Sequence, residues 1–120
     1  MRRSNRAGQR IGWAIVCGVL LTACTSTGDI SRNKPTFQGE TAKLDAVYAR
    51  CVQARWVAIS PTARIVETPS ALQVQASNAN GGAEELLVVH SKVKGADVVL
   101  YEHVQILALR AYRNAVKACL

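Results

Sequence analysis

Residues Glu84 to His103 read EELLVVHSKVKGADVVLYEH, and the fold turns on how this stretch is taken. Leu86-Leu87-Val88-Val89 and Val98-Val99-Leu100-Tyr101 are two runs rich in strand formers, separated by the turn residues Lys94-Gly95. The reading is a pair of strands, Glu84–Val93 and Ala96–His103. A two-residue turn at Lys94-Gly95 sets Val89 opposite Leu100, Ser91 opposite Val98 and Val88 beside Tyr101. It also brings Lys92 against Asp97, a favourable cross-strand charge pair. The rival is a helix over Ala83 to Lys94, opposed by the Val88-Val89 pair and the flanking turn residues.

Upstream, Asn80-Gly81 is the strongest short hairpin signal in the chain. Before it, Leu72, Val74 and Ala76 alternate with Gln73 and Gln75, giving a strand over Ala71–Ser77. Pro69-Ser70 turns this into a further strand over Ala63–Thr68. A turn centred on Asn80-Gly81 places Leu72 opposite Val89 and Val74 opposite Leu87. Both turns put Leu72, Val74, Leu87, Val89, Val98 and Leu100 on one face. A one-residue slip would reverse any of these strands, so two turns agreeing on one face support the assignment.

On either side of the strands the period lengthens to that of a helix. Leu44, Val47, Tyr48, Cys51, Val52 and Trp56 recur at spacings of three and four, and Ser60-Pro61 ends the segment. Val104, Leu107, Ala108, Ala111, Tyr112, Ala115, Val116 and Cys119 repeat the pattern at the C-terminus. The expected architecture is α+β: a four-stranded antiparallel meander flanked by an N-terminal and a C-terminal helix. Both helices pack on one face, with Cys51 and Cys119 on their apolar stripes, where a disulfide would join them.

The N-terminus carries a different kind of signal. Arg2, Arg3, Arg6 and Arg10 precede an apolar run from Ile11 to Leu21, the layout of a cleavable secretory leader. The run is about half the roughly 20 residues a membrane-spanning helix needs. Leu21-Thr22-Ala23-Cys24 closes the leader, and this box resembles the lipobox of bacterial lipoproteins. The resemblance implies cleavage before Cys24, diacylglyceryl attachment to its sulfur and often a further fatty acid such as palmitate on its amine. Thr25, in place of an aspartate, implies sorting to the outer membrane, facing the periplasm. Cys17 is a poorer lipid site because Val16, not a small residue, precedes it. The expected organisation is a signal peptide over 1–23, a flexible tether over 24–39 and one small domain over 40–120.

The whole chain has a formal charge of +7, which invites a nucleic-acid partner. Four of its 15 basic residues lie in the leader and none of its eight acidic ones does. The chain from Cys24 onward therefore carries eleven basic against eight acidic residues, or +3, and the reading assigns it no nucleic-acid partner. Export would place Cys51 and Cys119 in an oxidising compartment, where paired thiols become disulfides. Closing a loop of that length contributes about 4 kcal/mol in the chain-entropy picture.

Catalytic motifs are lacking: the sequence has no G-x-S-x-G elbow, no phosphate-binding glycine loop, no H-E-x-x-H and no dinucleotide fingerprint. In the expected register His90 faces Val99 and His103 lies four residues further along, about 13 Å away, too far to share a metal. Asp45, Asp97, Glu84, Glu85 and Glu102 read as scattered, with Glu84-Glu85 solvated at a strand start. The reading therefore assigns no catalytic residue, no metal and no cofactor. Leu86, Val88, Val99 and Tyr101, rimmed by Gln73, Gln75, His90 and His103, form the candidate partner surface on the outer sheet face. The expected function is a non-enzymatic envelope module anchored to the membrane through lipid on Cys24, binding an envelope protein or the cell wall. The alternatives are an inhibitor of an exogenous hydrolase such as lysozyme and an envelope-stress sensor. The chain beyond the box is similar to small uncharacterised periplasmic lipoproteins.

Overall fold

The computed structural model describes residues 30–77, 82–103 and 110–120. In chain order these form β1 (Phe37–Thr41), α1 (Asp45–Val57), β2 (Arg64–Glu67), β3 (Leu72–Ser77), β4 (Ala83–Ser91), β5 (Ala96–Glu102) and α2 (Arg110–Ala118). All pairings are antiparallel, in the order β1-β5-β4-β3-β2. Residues 83–94, the rival helix, are β4 and its turn. The leader, Cys24 and the expected helical residues 104–109 lie outside the described residues.

The sheet has five strands, which corrects the expected four. The extra strand, β1, pairs along β5 from Phe37 opposite Leu100 to Thr41 opposite Ala96. It overlaps the stretch expected to be tether, and ordered contacts continue further back. The Thr36 amide donates to the Leu100 carbonyl at 2.8 Å. Asn33 Nδ2 donates to the carbonyls of Glu102 and His103 at 3.1 and 3.3 Å. Among the described residues, ordered contacts therefore reach back to Ile30, inside the stretch expected to be tether. Only Phe37 is large and apolar among the inward positions Phe37, Gly39 and Thr41, so β1 shows no hydrophobic period. It is held by backbone pairing to β5, to which composition is blind.

The β3–β4 register matches the sequence reading, with Leu72 opposite Val89 and Val74 opposite Leu87. The β4–β5 register does not. The connection is a four-residue loop over 92–95, closed by the Lys92 amide donating to the Gly95 carbonyl at 3.0 Å. Val89 therefore faces Val98, and Val88 faces Val99 instead of Tyr101. The shift is two residues, an even number, so every side chain keeps its expected face. Lys92 still reaches Asp97, at 3.2 Å, but from the loop. Gly95 sits at φ +86°, and a Cβ there would lie 1.9 Å from the Thr41 carbonyl oxygen. Only glycine lets this loop pass against the end of β1.

Both helices cover the inner sheet face. Tyr48, Ala49, Val52 and Trp56 of α1 and Tyr112, Ala115 and Val116 of α2 are buried with Val74, Leu87, Val89, Val98 and Leu100. The helices run antiparallel, as three bonds show. Tyr48 Oη donates to the Val116 carbonyl at 2.8 Å, and Trp56 Nε1 to the Tyr112 carbonyl at 3.2 Å. Lys43 Nζ donates to the Cys119 carbonyl. The Trp56 and Tyr112 rings meet edge to face, 5.2 Å between centroids. Cys51 and Cys119 are disulfide-bonded with Cα atoms 5.9 Å apart, joining the two helices across 68 residues of chain. Beyond α1, the Ile59 and Ser60 amides both donate to Trp56 O, and Pro61 follows.

Two stability predictions follow from this geometry. Gly95→Ala is expected to cost about 2 kcal/mol or more through αL strain and the clash with Thr41, read from urea unfolding. Replacing both Cys51 and Cys119 by serine should lower stability by about 2–4 kcal/mol. Dithiothreitol should then lower the melting temperature of the parent and leave the double variant unmoved.

Candidate functional site

Two places in the described domain depart from what a plain sheet-and-helix scaffold requires. The first is the outer sheet face, which the helices leave uncovered. Leu86, Val88, Val99 and Tyr101 all lie there, as alternation places them. The apolar centre of this face is already occupied. Ile30 is fully buried against Leu86, itself buried, and both Val88 and Tyr101 pack on the pair. The segment expected to be a free tether thus supplies the first residue to cover the candidate partner surface. Around it the face is polar. Arg64 donates to Gln75 and Gln75 to Gln73 at 3.3 and 2.8 Å, the second bond linking neighbours on one strand.

The lower end of the same face forms an open concavity of about 470 Å³ lined by Gln38, Glu40, His90, Asp97 and Val99. Its two carboxylates are bridged by Lys92 Nζ, 3.1 Å from Glu40 and 3.2 Å from Asp97. His90 faces Asp97, and His103 pairs with Glu84 at the other end of β4, six residues away. That spacing is about 20 Å along the strand, longer than the sequence register implied. Among the described residues, no three His, Cys, Asp or Glu side chains gather as a metal site would need.

The second departure is a buried carboxyl pair. Glu85 on β4 and Glu102 on β5 are directly opposed, and both are fully buried. This corrects the expectation that the acidic residues are scattered and that Glu84-Glu85 is solvated. Glu85 shares its parity with Leu87 and Val89, and Glu102 with Val98 and Leu100. Continuing each alternation by one step puts both carboxyls on the helix-covered face, a signal that the sequence contained. Arg113 of α2 donates from Nε to Glu102 Oε1, tying the second helix to the end of the sheet.

The pair is short of donors. Neither oxygen of Glu85, nor Oε2 of Glu102, receives a hydrogen bond from a donor that carries a proton at all pH values. A proton retained on Glu85 relieves most of this, because its O–H then donates to Glu102, leaving one Glu85 oxygen without a donor. Burial is the largest influence on Glu85, reinforced by that hydrogen bond and by the charges of Glu102 and Glu84, with Arg113 opposing. Together they push its pKa up to about 10. Tyr112 of α2 lies within range of the same charges, and its own burial raises its phenol pKa.

A neutral acid beside an ion-paired one resembles the acid–base pairs of hydrolases, but here both groups lie inside the domain. Neither the concavity on the outer face nor the smaller one beside Asp45 and Glu67 includes them. Their visible work is to fasten α2 to β4 and β5. The chain matches no family model, no curated protein and no solved structure. Function must therefore be argued from the residues themselves.

The carboxyl pair generates a test with a definite sign. The unfolded chain releases the Glu85 proton near 4.5, whereas the folded chain holds it to about 10. Between those values the folded state binds more protons. The contribution of Glu85 to stability is thus fully present below pH 4.5 and declines as pH rises, by about 1.4 kcal/mol per unit at most. Glu85→Gln keeps a neutral donor toward Glu102 and removes the titration. In urea unfolding the variant should be the more stable protein at pH 8, by up to about 5 kcal/mol. That advantage should vanish near pH 4.5.

Proposed function

We propose that this protein is a lipid-anchored module of the bacterial cell envelope that acts by binding an envelope protein or the cell wall, without catalysis. The observation that carries the reading is the Cys51–Cys119 bond at the seam of the two helices, with Cys119 buried and Cys51 half-buried. A disulfide in that position suits a domain that folds after export into an oxidising compartment. The basic leader and the box Leu21-Thr22-Ala23-Cys24 supply the matching address. Among the described residues, no helix is long and apolar enough to cross a membrane, so attachment through Cys24 is the route proposed.

The non-enzymatic part of the reading rests on how the polar groups are engaged. Glu85 and Glu102 are closed inside, and Glu40 and Asp97 share the single ammonium of Lys92. Lys92 thereby offsets half of that carboxylate charge, which weakens the inhibitor alternative, since a cationic lysozyme would favour a free acidic patch.

Metabolic labelling with a clickable palmitate analogue tests the anchor. The parent and Cys17→Ser should incorporate label into the membrane fraction, and Cys24→Ser should lose it. An unlabelled parent, or label that survives loss of Cys24, would sink the proposal.

A further inference from the structure

α1 carries more apolar residues than the core uses. Tyr48, Ala49, Val52 and Trp56 face inward and are fully buried. A second row, Val47, Cys51 and Ala54, with the cap residues Leu44 and Ala58 at its two ends, runs along a different side at alternating spacings of three and four. Leu44 is 69% exposed and Val47 49%. Ala54 and Ala58 are exposed, and Cys51 is half-buried by its disulfide. The three-four alternation is the seam spacing by which one helix packs along another. Leu120, just past α2 and beside the disulfide, is a further exposed apolar residue.

Charge is divided between the two sides of the domain. The helices and their lead-in carry Lys43, Arg50, Arg55, Arg110, Arg113 and Lys117 against a single acid, Asp45. The surface carboxylates Glu40, Glu67, Glu84 and Asp97 all belong to the strands. Among the described residues, Arg50 and Arg55 pair with no carboxylate, and they flank the exposed row. A net charge of +3 spread evenly would mean little. The other described basic residues, Arg32, Lys34, Arg64, Lys92 and Lys94, are offset by the strand carboxylates, so the excess falls on the helix layer around an apolar seam, and there it describes a partner.

We propose that the outer side of α1 docks an acidic amphipathic helix of another protein, with Leu44, Val47 and Ala54 as the seam and Arg50 and Arg55 as its flanking charges. A second copy of this chain is a poor occupant, since it would set one basic layer against another. A flat anionic lipid surface could use the same charges, but it makes no use of a regular seam. The proposal rests on the helix layer alone and survives loss of the lipid at Cys24.

The probe is a three-heptad helical peptide with leucine at both seam positions and glutamate at the flanking positions, alongside its lysine counterpart. Binding to the full chain is followed by fluorescence anisotropy. The glutamate peptide should bind, the lysine peptide should not, and raising salt should weaken the complex. Arg50→Glu with Arg55→Glu should weaken binding at least tenfold. Arg64→Glu with Lys94→Glu makes the same change in net charge on the sheet side and should leave affinity within about twofold. Equal losses in the two variants would reduce the effect to net charge, and no loss in either would place binding elsewhere; both overturn the proposal. So does failure of the parent to bind the glutamate peptide. A photo-crosslinker at Val47 decides against lipid: adducts with phosphatidylglycerol vesicles in preference to the peptide would also overturn it. Thermal unfolding of both variants, expected to match the parent, checks that exposed arginines were changed without loss of fold.

Discussion

α1 and α2 are separated by four strands in the chain, yet they behave as one layer. Trp56 and Tyr112 meet edge to face, side chains of α1 donate to two backbone carbonyls of α2, and Cys51–Cys119 closes the opposite end. A single helix of 13 residues could not cover the inner faces of five strands. With α2 locked beside it, the two form a lid wide enough to bury Val74, Leu87, Val89, Val98 and Leu100 together. In a domain this small the core alone supplies limited stability, so a covalent link between its two covering elements matters more than it would in a larger protein.

Fastening α2 at its other end carries a cost. Glu85 and Glu102 occupy positions where leucine or valine would be expected, and Glu85 must keep its proton far above the usual carboxylate range to stay there. The arrangement holds because Arg113 neutralises Glu102 while the protonated Glu85 supplies the remaining donor. Buried polar sets of this kind trade stability for one defined orientation. Here the orientation concerns the start of α2, and through it the face that the helix pair turns outward.

Much of this was legible from local pattern. Period-two alternation in Leu72–Ala76, the run of strand formers in Leu86–Val89 and the helical stripes around Tyr48 and Tyr112 each act over a few residues, where steric and solvation preferences dominate. The β4–β5 loop was misjudged by two residues, because Lys94-Gly95 marked a turn without stating its length. β1 escaped notice because its pairing is a backbone property shared with a strand some sixty residues away. The buried acids were misread as solvated because the outward habit of glutamate was preferred to the parity of its own strand.

The sequence by itself determined which positions of β3, β4 and β5 share a face, and that Tyr48, Val52 and Trp56 of α1 and Tyr112, Ala115 and Val116 of α2 fall on apolar stripes, though Leu44 and Val47 of the same expected stripe are exposed. Those are consequences of side-chain period, which each segment carries without reference to the others. Only the tertiary structure decided the fifth strand, the seating of Ile30 on Leu86, the proton held between Glu85 and Glu102, and the net positive excess on the helix layer. Each of these depends on which distant segments become neighbours. Their energies come from backbone pairing, desolvation and charge proximity, and exist only once the chain has closed on itself.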